Sequence, residues 1–267
     1  MNLYEVLENV KLWTREVGKL QLEKYNSKIK YTSKSTVVDM VTEVDILSEK
    51  IIIDKIKSTY PDHAILSEEE GEIKSESEYL WVIDPLDGTN NYLHAFPIFC
   101  VSIALKKGEE TVLGVIYVPR LDEMFWAIKG EGAFLNDEKI EVAQKGNLEQ
   151  CILATGFPYD KKISKHNNVN LFTNIITELQ GIRRTGSAAF DLCCVACGRI
   201  DGYWELKLGL WDLAAGALIV EEAGGKVMTS YLSKENGEMG VNIIAGNEIV
   251  VEKVLGKLNE VSNYFNK

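Results

Sequence analysis

The chain has 267 residues, of which 46% are hydrophobic and 26% are charged, as in ordinary soluble globular proteins. Its formal net charge of −11 argues against a general nucleic-acid surface or an anionic-membrane surface, since both need clustered Lys and Arg. Glu5 and Glu8 interrupt the N-terminal stretch and no apolar run reaches membrane-spanning length, so we expect a cytoplasmic protein without signal peptide or membrane span.

The first 60 residues predict two helices joined by a polar segment. Apolar residues recur at three-, four- and seven-residue steps through residues 3–24, which is typical of an amphipathic helix. Residues 28–39 are polar and predict a mobile loop or a hairpin. A second helix begins near Thr42, a good N-cap residue, and ends before Pro61. Asp45 lies in its first turn, where a carboxylate interacts favourably with the helix dipole.

Two short predicted strands are each followed by acidic residues. Residues 64–66 are apolar and lead towards Glu68, and the apolar run at residues 79–83 leads into Asp84. Because Pro85 has no N–H to donate, we expect the second strand to end there. If the two strands are neighbours in a sheet, Glu68 and Asp84 lie close together.

The residues after Asp84 form a candidate metal and phosphate motif. Asp87 follows in a turn that Gly88 allows to bend tightly, ahead of Thr89, a good N-cap residue. Two carboxylates at one strand end repel each other unless a cation lies between them. Oxygen ligands without His or Cys suit Mg²⁺, and the Leu86 carbonyl is a further candidate ligand. The motif therefore predicts metal-assisted phosphate chemistry, although such a motif by itself is more often a plain solvated turn.

The pattern of the chain changes at about residue 145. Before this point an antiparallel meander is predicted, with strands at residues 99–105, 112–118, 124–128 and 132–135. After it strands alternate with helices, the strands at residues 151–155, 182–185, 203–206 and 241–245 and the helices at residues 169–179, 190–197, 213–223 and 248–258. The sequence shows no Pro-rich hinge, so we expect halves at residues 1–145 and 146–267 to pack as one body.

Three of the five cysteines, Cys193, Cys194 and Cys197, lie in an apolar stretch with helical character. A zinc site at this place lacks a second cysteine pair, and the chain has only three His. We therefore expect buried packing of these thiols rather than metal binding, redox chemistry or a disulfide framework.

Taken together, the motifs resemble the inositol monophosphatase family, within the wider group of Mg²⁺-dependent, lithium-sensitive phosphatases. Residues 81–92, preceded by Glu68 and Glu69, are similar to the family's first signature, and residues 211–225 are similar to its second. Shorter stretches also match, at Lys34 with residues 38–45, at residues 154–158 and at residues 184–189. The resemblance implies a layered α/β (α+β) fold, the αβαβα sandwich shared with fructose-1,6-bisphosphatase, and a homodimer.

By the same resemblance, two Mg²⁺ ions bind in each site, and a third is allowed. The ligands of the first ion would be Glu68, Asp84 and the Leu86 carbonyl. The ligands of the second would be Asp84, Asp87 and Asp212, so that Asp84 bridges the two ions. A third, weaker ion would bind near Glu68 and the loop that holds Lys34 and Asp39.

The resemblance also implies direct attack by water, without a covalent phosphoenzyme. Thr89, oriented by Asp45, would activate the water with help from Glu68. The backbone N–H groups of Gly88 and Thr89 would hold phosphate oxygens during in-line attack. Substrate contacts, including those to the hydroxyls of a cyclic polyol, are expected from Asp87, Gly88, Thr89, Gly186, Ser187, Ala188, Glu205 and Asp212.

The leading hypothesis is hydrolysis of inositol monophosphate to inositol and phosphate. The rival substrates are fructose 1,6-bisphosphate, 3′-phosphoadenosine 5′-phosphate and histidinol phosphate. Fructose 1,6-bisphosphate becomes credible if Arg183 or Arg184 reaches a second phosphate. A rival of another class is a non-catalytic metal- or partner-binding protein, which would not need the pair of Thr89 and Asp45.

Overall fold

The computed structural model describes residues 1–25, 27–34, 39–231 and 240–265. The α-helices in these ranges are α1 (Leu3–Lys24), α2 (Glu43–Thr59), α3 (Thr89–Leu93), α4 (Val169–Ile175), α5 (Ala188–Ala196), α6 (Leu210–Glu222) and α7 (Glu248–Asn259). Short 3₁₀ turns lie at Leu148–Gln150 and Ile176–Glu178. Residues 35–38, which belong to the predicted N-terminal loop and to the family-like stretch ending at Asp45, lie outside the described residues.

The strands form one hairpin and two sheets. The hairpin strands are β1 (Tyr31–Ser33) and β2 (Met40–Thr42). The strands of the large sheet are β3 (Ala64–Ser67), β4 (Gly71–Ile73), β5 (Tyr79–Asp87), β6 (Cys100–Lys107), β7 (Glu110–Val118), β8 (Glu123–Ile128), β9 (Gly132–Leu135) and β10 (Glu138–Ile140). The strands of the small sheet are β11 (Ile152–Thr155), β12 (Gly181–Arg183), β13 (Gly202–Leu208), β14 (Lys226–Tyr231) and β15 (Val241–Gly246).

The two sheets differ in strand direction. The large sheet has the order β10-β9-β8-β7-β6-β5-β3-β4, and its described neighbours are antiparallel except β3 and β5. The small sheet has the order β12-β11-β13-β15-β14, with β11 parallel to both of its neighbours and the other pairs antiparallel. The predicted antiparallel meander is confirmed for β6 to β9.

Helices and sheets pack in five layers. Successive side chains of β5 point to opposite faces, so Trp81 and Ile83 pack against α1 and α2 while Val82 faces α5 and α6. Helices α5 and α6 fill the space between the sheets, where Leu192 and Ile219 are fully buried. Helices α4 and α7 cover the outer face of the small sheet. The expected αβαβα layering is confirmed, whereas the division of the chain at residue 145 stays a prediction.

Several predicted boundaries are wrong for local physical reasons. Strand β5 does not end at Pro85: its pairing with β6 is interrupted there and resumes where Asp87 faces Cys100. A proline removes one donor from the ladder, and an irregular stretch absorbs that loss without ending the strand. The predicted helix at residues 169–179 ends as an α-helix at Ile175 and continues as a 3₁₀ turn.

Sequence patterns also missed strands β4, β10 and β14. The first two have only three residues each, and β14 is partly exposed along its length, so neither hydrophobic alternation nor an apolar run marks them. In the described ranges, every helix is too short or too polar to span a lipid bilayer.

Candidate active site

A cavity of about 290 Å³ lies where the ends of β3 and β5 meet the starts of α5 and α6. The predicted site residues on its walls are Lys34, Asp39, Glu68, Asp84, Leu86, Asp87, Gly88, Thr89, Gly186, Ser187, Ala188, Glu205 and Asp212. Asp45 is fully buried behind Thr89 and does not line the cavity. The structure therefore brings residues from both sheets to one place.

The ends of β3 and β5 position the first acidic residues. These strands are parallel, with Ser67 opposite Ile83, and the Glu68 N–H donates to the Ile83 carbonyl at 3.2 Å. Glu68 therefore lies beside Asp84 at the same edge of the sheet, as expected for neighbouring strands. The Asp84 carboxylate accepts from the Leu86 N–H at 3.0 Å, which orders the irregular stretch after Pro85.

Asp84, Asp87 and Asp212 form the carboxylate trio of the site, with one oxygen from each lying within 4.8 Å of the others. Burial and the negative charges of Glu68, Asp87 and Asp212 raise the pKa of Asp84 well above its usual range. Burial, followed by the charges of Asp87 and Glu68, does the same to the pKa of Asp212. An all-oxygen donor set with this much unbalanced negative charge fits a hard divalent cation such as Mg²⁺.

The Asp87 carboxylate is held by the start of α5. Its Oδ2 atom accepts from the Ser187 hydroxyl and from the Ala189 N–H, both at 2.7 Å, and the Cys100 thiol lies 3.8 Å away. Burial nevertheless raises the pKa of Asp87 to about 6. Sequence reasoning placed Ser187 beside the substrate but missed its hydrogen bond to Asp87. It also missed Cys100, because a cysteine in an apolar strand gives no signal of function.

Asp45 uses its two oxygens for different tasks. The Thr89 hydroxyl donates to Oδ1 at 2.8 Å and lies 3.1 Å from the Leu86 carbonyl. The Oδ2 atom accepts from the Thr42 N–H at 2.9 Å and from the Thr42 hydroxyl, which completes a capping box at the start of α2. Burial raises the pKa of Asp45 to about 6, although these hydrogen bonds oppose the rise. Asp45 therefore caps the helix and also orients Thr89.

Glu68 is not one of the three carboxylates of the trio and pairs with a cation of the chain. The Lys34 ammonium lies 2.8 Å from the Glu68 carboxylate and 2.5 Å from that of Glu69. Burial raises the pKa of Glu69 to about 7 despite this ammonium. Lys34 and Asp39 both lie at the cavity, and the Lys34 N–H donates to the Asp39 carbonyl at 2.7 Å.

Sequence reasoning missed Glu49, which shapes the turn after β3. One carboxylate oxygen of this buried residue accepts from the N–H groups of Glu69 and Glu70, at 3.1 and 3.2 Å. The available signal was its position four residues after Asp45, because an acid at that spacing lies on the same face of the helix.

The wall formed by the small sheet carries Glu205. Its carboxylate accepts from the Tyr203 hydroxyl at 2.5 Å, and burial raises its pKa to about 7. Gly156 makes room for it, since a Cβ at that position would lie 2.0 Å from a Glu205 carboxylate oxygen. Arg184 lines the cavity, whereas Arg183 is absent from its described walls and donates to the Ile182 carbonyl.

We expect the metal-free protein to lose stability as pH rises from about 4 to about 7. Burial raises the pKa of Asp45 and Asp87 to about 6 and that of Glu205 to about 7, above the unfolded values, so the folded protein binds more protons. The stability that these three groups contribute is complete at pH values below their unfolded pKa values. It is lost as the pH rises through their pKa values in the folded protein. Calorimetry in EDTA between pH 5 and 7.5 measures this as a falling Tm.

The matched measurement adds saturating Mg²⁺ at each pH. The gain in Tm should grow with pH, because protons and the cation compete for the same carboxylates. A Tm in EDTA that rises from pH 5 to 7.5 would contradict the raised pKa values.

Comparison with known proteins gives consistent matches over most of the chain. The sequence profile described as "Inositol monophosphatase family" matches residues 2–263. The Nus factor SuhB of Salmonella typhimurium is 43% identical over 223 residues, which cover 83% of each chain. The inositol-1-monophosphatase of Synechocystis is 47% identical over 199 residues, covering 74% of this chain and 69% of that protein. The solved structure of inositol monophosphatase from Anabaena has a TM-score of 0.86 and 37% identity, covering 98% of each chain.

Proposed function

The chain belongs to the inositol monophosphatase family, and from this premise we propose that it hydrolyses inositol monophosphate to inositol and phosphate. Phosphatase activity that depends on Mg²⁺ follows from the family itself. The observation that carries the proposal is the carboxylate trio beside the pair of Thr89 and Asp45, in a cavity that also contains Glu205.

The residues that would hold the metal are Glu68, Asp84, the Leu86 carbonyl, Asp87 and Asp212. Mg²⁺ bound there would lower the pKa of a water molecule and polarise the phosphoryl group. We propose two ions with Asp84 between them, and a third, weaker ion near Glu68, Lys34 and Asp39. The oxygen-only donors and their buried negative charge support this assignment.

The chain's own groups orient the attacking water and the phosphate. Because the Thr89 hydroxyl donates a hydrogen bond to Asp45, its oxygen lone pairs remain available to accept a hydrogen bond from water. Glu68, on the same cavity, would assist in taking the proton. The backbone N–H groups of Gly88 and Thr89, at the start of α3, would hold phosphate oxygens.

The polyol would bind against Glu205 and the start of α5. Carboxylate oxygens accept hydrogen bonds from neighbouring hydroxyls, and Gly186, Ser187 and Ala188 lie on the same cavity. Arg184 supports fructose 1,6-bisphosphate as a second candidate, because its guanidinium is the kind of group that binds a second phosphate. On the family resemblance alone we also propose lithium sensitivity, a homodimer and a cytoplasmic location.

The test is Mg²⁺-dependent phosphate release from inositol 1-phosphate, fructose 1,6-bisphosphate, 3′-phosphoadenosine 5′-phosphate and histidinol phosphate. We expect the highest kcat/KM for inositol 1-phosphate, inhibition by lithium and no release in EDTA. A higher kcat/KM for fructose 1,6-bisphosphate would transfer the proposal to that substrate. Folded, Mg²⁺-bound protein that hydrolyses none of them would favour the binding-protein alternative.

A further inference from the structure

A loop between β11 and α4 forms part of the cavity wall. Phe157, Pro158 and Tyr159 line the cavity, and the chain then turns through residues 160–164. We call residues 157–164 the wall segment. Sequence reasoning assigned these residues no role in the site beyond the family-like match at residues 154–158.

The loop that contains the wall segment is fixed at its base by Asn168. This buried side chain donates to the Thr155 hydroxyl at 2.8 Å and to the Gly156 carbonyl at 2.5 Å, and it accepts from the Trp204 indole N–H at 2.7 Å. The start of the loop after β11 and its end before α4 are therefore joined by one set of hydrogen bonds.

Lys207 holds the wall segment to β13. Its ammonium lies 2.8 Å from the Asp160 carboxylate and 2.7 Å from the Ser164 hydroxyl, and its side chain is only 7% exposed. Its φ is +62°, a conformation that few residues other than glycine adopt, at a place where the pairing of β13 with β15 is irregular. Such a residue persists where surrounding contacts determine its position, and the ion pair of the buried Lys207 with Asp160 is such a contact.

Tyr159 directly precedes Asp160, so the ion pair also restrains the backbone at Tyr159. This side chain lines the same cavity as Asp212 and Glu68, and no hydrogen bond to its hydroxyl is found among the described residues. The Tyr159 side chain is 48% exposed, so only part of it is shielded from solvent at the cavity. This partial desolvation and the nearby charges of Asp212, Glu68 and Asp87 raise its pKa, so the hydroxyl stays protonated and can donate a hydrogen bond.

We infer that Tyr159 donates a hydrogen bond to the phosphate of the bound substrate, and that Lys207 is the positioning residue that holds Tyr159 there through Asp160. The inference deepens the proposed phosphatase function and rests on it. The phosphate is the favoured partner, because the carboxylates whose charges act on Tyr159 include Asp212, Glu68 and Asp87, which would bind the metal and, through it, the phosphate.

The positioning role is tested by limited trypsin digestion, with cleavage after Lys161 and Lys162 followed by mass spectrometry. Both lysines are exposed within the wall segment. We expect faster cleavage there in Lys207→Met and also in Lys207→Gly. Glycine adopts the positive φ of this position without strain, so the second variant shows whether the effect comes from the lost ion pair or from misfolding. Lys50→Met, an exposed lysine on α2, is the control and should digest like the wild type. Unchanged cleavage in both Lys207 variants would overturn the positioning role.

The Tyr159 hydroxyl is tested by calorimetric binding of inorganic phosphate to the Mg²⁺-loaded protein. We expect Tyr159→Phe to weaken binding by roughly tenfold, the loss of one hydrogen bond to a charged group. Lys207→Met should weaken it by a similar factor, and the double variant no further, because Lys207 acts through Tyr159. Wild-type affinity in Tyr159→Phe, or additive losses in the double variant, would overturn the inference.

These measurements separate this inference from the proposed function. Digestion and phosphate binding need no turnover and no choice of substrate. If the wild type bound phosphate through Tyr159 but released none from any phosphomonoester, the proposed function would fail and the assignment of Tyr159 would stand.

Discussion

Replacing Asp84 by Asn is expected to abolish Mg²⁺-dependent phosphate release, with kcat falling by roughly 10³-fold or more. Asp84 is 1% exposed and belongs to the carboxylate trio, and in the proposed assignment it is the ligand that both ions would share. Asn keeps the shape of the side chain and an oxygen that accepts from the Leu86 N–H. The fold of the irregular stretch is therefore retained while the charge is lost.

The same variant should be more stable than the wild type in EDTA at pH 7. The pKa of Asp84 is raised well above its usual range by burial and then by neighbouring carboxylates, so its charged form is unfavourable in the folded state. The gain in Tm should shrink as the pH falls, because the native Asp84 then takes up a proton and loses its unfavourable charge. Asp54→Asn, on the exposed side of α2, is the control. Mg²⁺-dependent turnover retained by Asp84→Asn would contradict the bridging assignment.

Replacing Thr89 by Ala is expected to lower kcat by about 10²-fold and to leave Mg²⁺ affinity nearly unchanged. The hydroxyl is bonded to Asp45 and is no member of the carboxylate trio, so its loss removes the group that orients water without removing a metal ligand. Stability should also fall by about 1–3 kcal/mol, because Oδ1 of Asp45 would be left buried without a donor.

Thr89→Ser is the matched control, since it keeps the hydroxyl and loses only a methyl group. It should retain most of the kcat that Thr89→Ala loses. The measurements are kcat and KM from initial rates, with Mg²⁺ affinity from calorimetry. An effect of Thr89→Ala confined to KM would argue against a role in activating water.

The parts of the fold that local patterns describe were predictable. The amphipathic period of α1 and the apolar runs of β5 to β8 depend on neighbours within a few residues, and these elements appear as expected. The three-residue strands β4 and β10 instead pair with the preceding strand across a short turn, Ile73 with Ile65 and Glu138 with Leu135, and they are too short for hydrophobic alternation to mark them. No local hydrophobic pattern carries that information.

The site residues also fall into those that a local motif predicts and those that only the folded structure brings together. Asp84 and Asp212 were found because each lies within a short motif, Asp84 beside Pro85 in β5 and Asp212 in the first turn of α6. The bond from Ser187 to Asp87 joins residues 100 positions apart, and the pair of Lys207 and Asp160 joins residues 47 apart. Contacts of that range follow from the packing of the two sheets around α5 and α6, which sequence motifs do not encode.

The double use of carboxylate oxygens restricts how this scaffold can change over evolutionary time. Oδ2 of Asp45 accepts the Thr42 N–H and Oδ2 of Asp212 accepts the Gly209 N–H, so each acid also closes a helix start. A descendant that abandons hydrolysis for another task can replace Asp84 widely, since no helix depends on it. At Asp45 and Asp212 it must keep an acceptor oxygen, so inactive descendants should show Asn, Ser or Thr there while Asp84 drifts more freely.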